Sequence, residues 1–190
     1  MKNTYILLAG IALIAILIVS SKNTNSTHTM QGGMEMSGNE HMMGEMMVST
    51  DKEFLENMIP HHEEAVMTAR EVLARGKTTE VKVLAENIIS SQNKEIEMMK
   101  VWYEDWYGID YMQTVNYTPM MRELSALSGK ALDKLFVEDM IMHHMGAIMM
   151  AKQLASFTQR TELLGIGKAI IETQETEVVM MKGWLETILK

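Results

Sequence analysis

Apolar and polar residues alternate along this chain in three regimes. From Tyr5 to Val19 the residues are uninterruptedly apolar, and from residue 22 to residue 50 they are polar with no helical period. Beyond Thr50 the apolar positions recur at spacings of three and four, the signature of helices with one inward face. The first predicted helix opens at Thr50, whose hydroxyl can cap it while Glu53 bonds back, and it runs to about Arg75 before Gly76 stops it. A second helix is predicted from about Thr79 to Tyr107, with Leu84, Ile88, Gln92, Glu95, Met99 and Trp102 on its inward stripe. Two more follow at roughly 130–157 and 160–190, the last carrying Ile166, Ile170, Gln174, Glu177, Met181 and Trp184 on the equivalent stripe. Thr118 and Pro119, in the longer connection over 108–128, are placed to start a short helix. Period-two patterning, the mark of strands, does not occur.

The four helices are two copies of one unit. Residues 54–104 align with 136–186 without a gap at a constant offset of 82, so that Phe54 matches Phe136, Met58 matches Met140, and His61 and His62 match His143 and His144. Gln92, Glu95, Met98, Met99 and Trp102 match Gln174, Glu177, Met180, Met181 and Trp184. Two helical hairpins must bury their apolar faces against each other, and an antiparallel four-helix bundle is the simplest all-α arrangement that does so. The predicted organisation is a leader over 1–21, a tether over 22–50 and a bundle over 51–190, with repeat units at about 51–107 and 130–190.

The leader has the layout of an export signal, with Lys2 before the apolar run and Ser20, Ser21 and Lys22 after it. Its fifteen residues span only about 22 Å as a helix, short for a membrane crossing, yet no A-x-A cleavage site follows. The expectation is therefore an extracytoplasmic protein, secreted or membrane-anchored.

Composition narrows the chemistry. A net charge of −8 argues against nucleic acid and favours cationic ligands. The chain has no cysteine but 22 methionines among 190 residues, so a soft-metal site must use thioether sulfur and imidazole. Methionine in a helix is commonly core filler. The tether admits no such explanation, because His28, Met30, Met34, Met36, His41, Met42, Met43, Met46 and Met47 stand in a polar stretch with nothing to pack against. A mobile string of thioether and imidazole groups can capture Cu(I).

In the bundle, folding the first unit about a turn near Lys77 sets His61 and His62 level with Gln92, Glu95 and Met98, and His143 and His144 fall level with Gln174 and Glu177. Met58 lies one turn before His61 and His62, and Met140 one turn before His143 and His144, so each copy pairs sulfur with nitrogen. Candidate metal residues are Met58, His61, His62, Met140, His143, His144, Glu95, Glu177, Met98 and Met180. Both clusters are expected at the bundle end away from the hairpin turns, where the tether arrives. In the alternative, the histidines and the two glutamates form a metal-free polar network that fixes helix register. Trp102 and Trp184 read as core anchors.

The segments MIPHHEEAVMTA and MIMHHMGAIMMA, each followed by Q-x-x-E-x-x-M-M-K-x-W, resemble the exported family called domain of unknown function 305 over roughly residues 50–190. The resemblance implies a ferritin-like four-helix bundle and an association with copper binding and copper tolerance outside the cytoplasm. It carries over to the Met-His-His motifs, with the paired Gln and Glu positions in support.

The functional expectation is binding of Cu(I), or silver, for sequestration, tolerance or delivery, with metal ions, the membrane and a copper-delivery protein as partners. Competing readings are a copper oxidase and a metal-free interaction module at the membrane surface. Di-iron chemistry is disfavoured, because the two Glu-x-x-His motifs that such bundles use do not occur.

Overall fold

The computed structural model of the chain describes residues 47–112 and 116–190. They form four helices, α1 (Asp51–Arg75), α2 (Thr79–Tyr107), α3 (Gly129–Phe157) and α4 (Thr161–Glu186), and no strand occurs among the described residues. The leader and all of the tether before Met47 lie outside the described residues. No described helix is long and apolar enough to cross a membrane.

Local chemistry sets the helix ends. The Thr50 hydroxyl accepts from Glu53 N at 3.1 Å, while the Glu53 carboxylate reaches one residue farther back than expected, to Ser49 N at 2.8 Å. Gly76 ends α1 in an extended conformation, not a left-handed one. Its value is room: a Cβ there would lie 2.4 Å from Asp133 Oδ1 and 2.6 Å from the Val72 carbonyl oxygen. Asp133, from α3, in turn accepts from Lys77 N at 3.0 Å and Thr78 N at 2.6 Å, capping the start of α2 from another helix. Gly108 closes α2 at φ 69°, a left-handed conformation that glycine adopts without strain.

Each hairpin turns on a short connection, so α1 pairs antiparallel with α2 and α3 with α4. The hairpins meet through α1 and α3. These two run antiparallel: Gln153, late in α3, accepts from Val48 N at 2.8 Å beside the start of α1, while Arg75 at the end of α1 donates to the Leu124 and Ser125 carbonyls just before α3. Burial follows from this. About half of α1 and α3 is buried, whereas α2 and α4 bury a single stripe, with Leu84, Ile88, Gln92, Met99 and Leu163, Ile166, Ile170, Gln174 upon it.

The expected short helix at Thr118 does not form. Met120 N and Met121 N donate to the Glu64 carboxylate at 3.2 and 3.0 Å, and Arg122 N donates to Asp139 at 2.8 Å. Side chains of α1 and α3 thus take the donors that a helix start would leave free, and residues 116–124 become an irregular strap across them.

The core is divided in two. One half joins Ala65, Val72, Leu84, Leu132, Phe136 and Met140, and the other joins Phe54, Met58, Met99, Met150, Leu154 and Ile166. The first draws on the C-terminal half of α1 and the N-terminal half of α3; the second reverses this. Between the halves lies a polar layer.

Candidate metal centre: a histidine layer at mid-bundle

The layer is built by four histidines, all at most 1% exposed. His61 and His143 stack across the α1–α3 contact with ring centroids 3.6 Å apart and planes tilted by 34°. His62 flanks His61 at 6.2 Å, and His144 flanks His143 at 6.4 Å. The position differs from the expected bundle end: the histidines sit near the middle of α1 and α3. The reason is that the hairpins pack through the very helices that bear them, so the axis relating the copies passes between equivalent residues. Two expected clusters become one.

Each outer histidine is held from behind by its own hairpin partner. His62 Nε2 lies 2.7 Å from Glu95 Oε2, and His144 Nε2 lies 2.7 Å from Glu177 Oε2. A carboxylate can only accept, so Nε2 carries the proton in each pair, and in the neutral ring the lone pair falls on Nδ1. Those Nδ1 atoms are buried without a hydrogen-bond partner, as are both ring nitrogens of His61. Gln92 and Gln174, one turn before the glutamates, are also buried with Oε1 unpartnered. Such orphaned groups are costly, and in this layer they concentrate.

Burial drives the His61 imidazole well below its usual titration range, with the neighbouring His143, His62 and His144 adding to the effect. His143 is lowered too, again by burial, but Glu64 opposes the shift. Glu64 Oε2 stands 3.3 Å from His143 Nε2 and accepts from the Tyr117 hydroxyl of the strap. Burial alone would raise the Glu64 carboxyl, yet its contacts to His143, Tyr117 and Met121 N hold it below the usual carboxylate range. Its counterpart in the second copy is Gly146, so the layer is sealed by the strap on one side only.

The thioethers fall into three groups. Met58 and Met140 are fully buried, one in each half of the core, and so flank the layer from both sides. Met99 and Met181 are buried on the stripes of α2 and α4. Met98 is half-buried and packs at the edge of the core half that holds Met58, whereas Met180 is exposed. Of the tether's candidate ligands only Met47 lies among the described residues, its sulfur accepting from Gln153 Nε2 at 3.2 Å. Trp102 and Trp184 are half-buried at the edges of the core, Trp102 stacked on Trp106 at 5.8 Å.

Among the described residues no three His, Asp or Glu side chains converge as a ligand set. What the layer offers is deprotonated imidazole nitrogen with thioether sulfur one helical turn away, a donor set that suits a soft cation. The sequence did not disclose the strap, the Tyr117–Glu64 contact or the meeting of His61 with His143. The ungapped duplication was the available signal for the last, because related copies commonly pack about an axis that brings equivalent residues together.

Comparison with known proteins agrees with this architecture. The family model described as "Domain of unknown function (DUF305)" matches residues 16–103 and 51–185. Among solved structures, CopM in its Cu(I)-bound form is 34% identical, with 73% of this chain and 97% of that chain covered and a TM-score of 0.68. CopM was also solved in Cu(II)-bound and Ag-bound forms, at TM-scores of 0.67 and 0.66. A DUF305 protein from Streptomyces coelicolor, described as a candidate secreted protein, is 26% identical over 67% of this chain and 86% of its own, with a TM-score of 0.60. The mimivirus protein L153, from Acanthamoeba polyphaga mimivirus and of no stated function, is 43% identical over 49 residues, and the chain spans only 32% of its length.

Proposed function

Because the chain belongs to the DUF305 family, we propose that it is an extracytoplasmic protein that binds a soft metal ion, Cu(I) or Ag(I), as cargo for sequestration, tolerance or delivery. The observation that carries this reading is the stacked pair His61 and His143, fully buried between the two apolar halves of the core, with both ring nitrogens of His61 and Nδ1 of His143 lacking a hydrogen-bond partner. A polar network that served only register would satisfy its members; these are left open. CopM, similar over most of this chain, was solved with Cu(I), Cu(II) and silver bound, which supports the choice of metal.

On this reading His61 and His143 supply nitrogen, Met58 and Met140 supply sulfur, and His62 and His144 present Nδ1 toward the layer. Glu95 and Glu177 act behind the outer histidines, fixing each ring and its tautomer, a role carboxylates commonly take around metal-bound imidazole. The bundle is ferritin-like in arrangement and arises from a duplicated hairpin. Residues 1–21 direct export or anchor the chain, and 22–50 form the tether that gathers ions with its methionines and histidines. A membrane surface and a delivery protein are the partners this role implies.

Anaerobic titration of the full chain with Cu(I) against a competing chelator tests the proposal. The double variant H61Q/H143Q is expected to lose its tightest equivalent while remaining folded by circular dichroism. Binding unchanged in that variant overturns it.

A further inference from the structure

The duplication allows one copy of the unit to be compared with the other, and the groove between the helices of each hairpin shows how they have diverged. In the first hairpin a groove of about 480 Å³ is lined by Glu63, Met67, Glu97 and Lys100 among others. In the second, a groove of about 850 Å³ is lined by Met145, Met149, Val179 and Lys182, the residues at the same four repeat positions. Glu63 and Lys100 form an ion pair at 2.6 Å across the first groove. Met145 replaces that carboxylate in the second, and Val179 replaces Glu97.

Where the first groove holds the single thioether of Met67, the second holds two, four residues apart on α3 and hence on one face and one turn apart. Met145 is 45% exposed, where its sulfur contributes nothing to a core. A groove that needed only apolar cover would be served by leucine. The nearby Lys152 is neutralised by Glu175 at 2.8 Å.

One residue of the same groove holds the incoming chain. Gln153, one turn beyond Met149, lines the groove and holds the start of the described residues with both ends of its amide: Oε1 accepts from Val48 N at 2.8 Å, and Nε2 donates to the Met47 sulfur at 3.2 Å. The Met47 thioether therefore lies against Gln153, one turn beyond Met149 on α3, and follows Met42, Met43 and Met46 in sequence.

We propose that Met145 and Met149, closed by Met47, form a second site for a soft monovalent cation, Cu(I) or Ag(I), on the surface of the second hairpin. It rests on the proposed metal-binding role and extends it: the ion passes from tether to groove before it reaches the histidine layer. Neutral thioethers suit this step, since they bind soft ions without a proton to displace and release them readily to imidazole.

The test is NMR of the full chain labelled with ¹³C at the methionine methyl groups, titrated with silver nitrate, with resonances assigned by single Met→Leu variants. The methyl signals of Met47, Met145 and Met149 should move together, and should still move in H61Q/H143Q. In M145L/M149L the Met47 response should weaken several-fold. If the three signals stay fixed while other methionines respond and H61Q/H143Q alters that response, the groove site is wrong and the buried centre stands. If no methionine signal responds to silver at all, both proposals fall.

Discussion

His61 and His143, separated by 82 positions in the chain, stack at 3.6 Å as equivalent residues of two copies of one hairpin. Neither ring nitrogen of His61 has a hydrogen-bond partner. A fold that places its least satisfied polar groups on its own axis has given up stability there, as functional sites commonly do.

The first consequence concerns stability without metal. Replacing both imidazoles by apolar side chains of similar size, H61L/H143L, removes the two partnerless ring nitrogens of His61 and the partnerless Nδ1 of His143, while the Glu64 carboxylate that faces His143 Nε2 keeps Tyr117, Met120 N and Met121 N as donors. Each relieved group is worth about 1–3 kcal/mol. The metal-free double variant should therefore unfold at higher urea concentration than the wild type, while its Cu(I) or Ag(I) binding at the layer is lost. A variant less stable than the wild type would show that the imidazoles are satisfied in a way the geometry does not reveal.

Acid should act on the same pair. The titration of His61 and His143 is lowered in the folded protein by burial. The unfolded chain thus takes up protons at these positions at higher pH than the native one, and native stability falls as pH drops below the ordinary histidine value of 6.5. Urea midpoints of the metal-free protein at about pH 7.5 and about pH 5 should differ more for the wild type than for H61L/H143L. Equal differences would remove these histidines from the account.

The carboxylates behind the outer histidines should separate stability from binding. E95A or E177A leaves a buried Nε2 without its acceptor, a loss of about 1–3 kcal/mol. Metal affinity at the layer should fall about 10–100-fold, as when an outer partner of a ligating histidine is removed. E95Q, which still offers an oxygen, should recover most of the stability. Affinity unchanged in E95A would mean that His62 takes no part in binding.

Gly76 is where backbone and side chain leave no space. G76A would force a methyl against Asp133 and the Val72 carbonyl, displacing the carboxylate that caps α2. A loss of about 1–3 kcal/mol is expected, of the size found for overpacked sites, and thermal unfolding would measure it.

Much of this molecule was legible in its residues because the helices are long, capped and periodic. Thr50 and Gly76 fall where the signals of helix start and stop predict, and α2 spans the expected residues. The repeat identified His61, His62, Glu95 and their counterparts, since equivalent chemistry at a constant offset is visible without any structure. The height of the layer was not legible. Levelling residues about a hairpin turn gives their order along one hairpin, and it carries no information on which helix faces the other hairpin. The strap was hidden for a related reason: Thr118 and Pro119 favour a helix start locally, but Glu64 and Asp139, remote in sequence, capture the donors of Met120, Met121 and Arg122. Met98 and Met180 shared the motif yet lie one position away from the buried Met99 and Met181, and helix rotation separates them.

The most direct measurement is the position of the metal itself. Crystals of the silver-loaded protein, examined by anomalous scattering, should show an ion bonded to an imidazole nitrogen of His61 or His143 between the two halves of the core. Silver confined to surface methionines, with the two rings still stacked against each other and bare, would contradict the central claim.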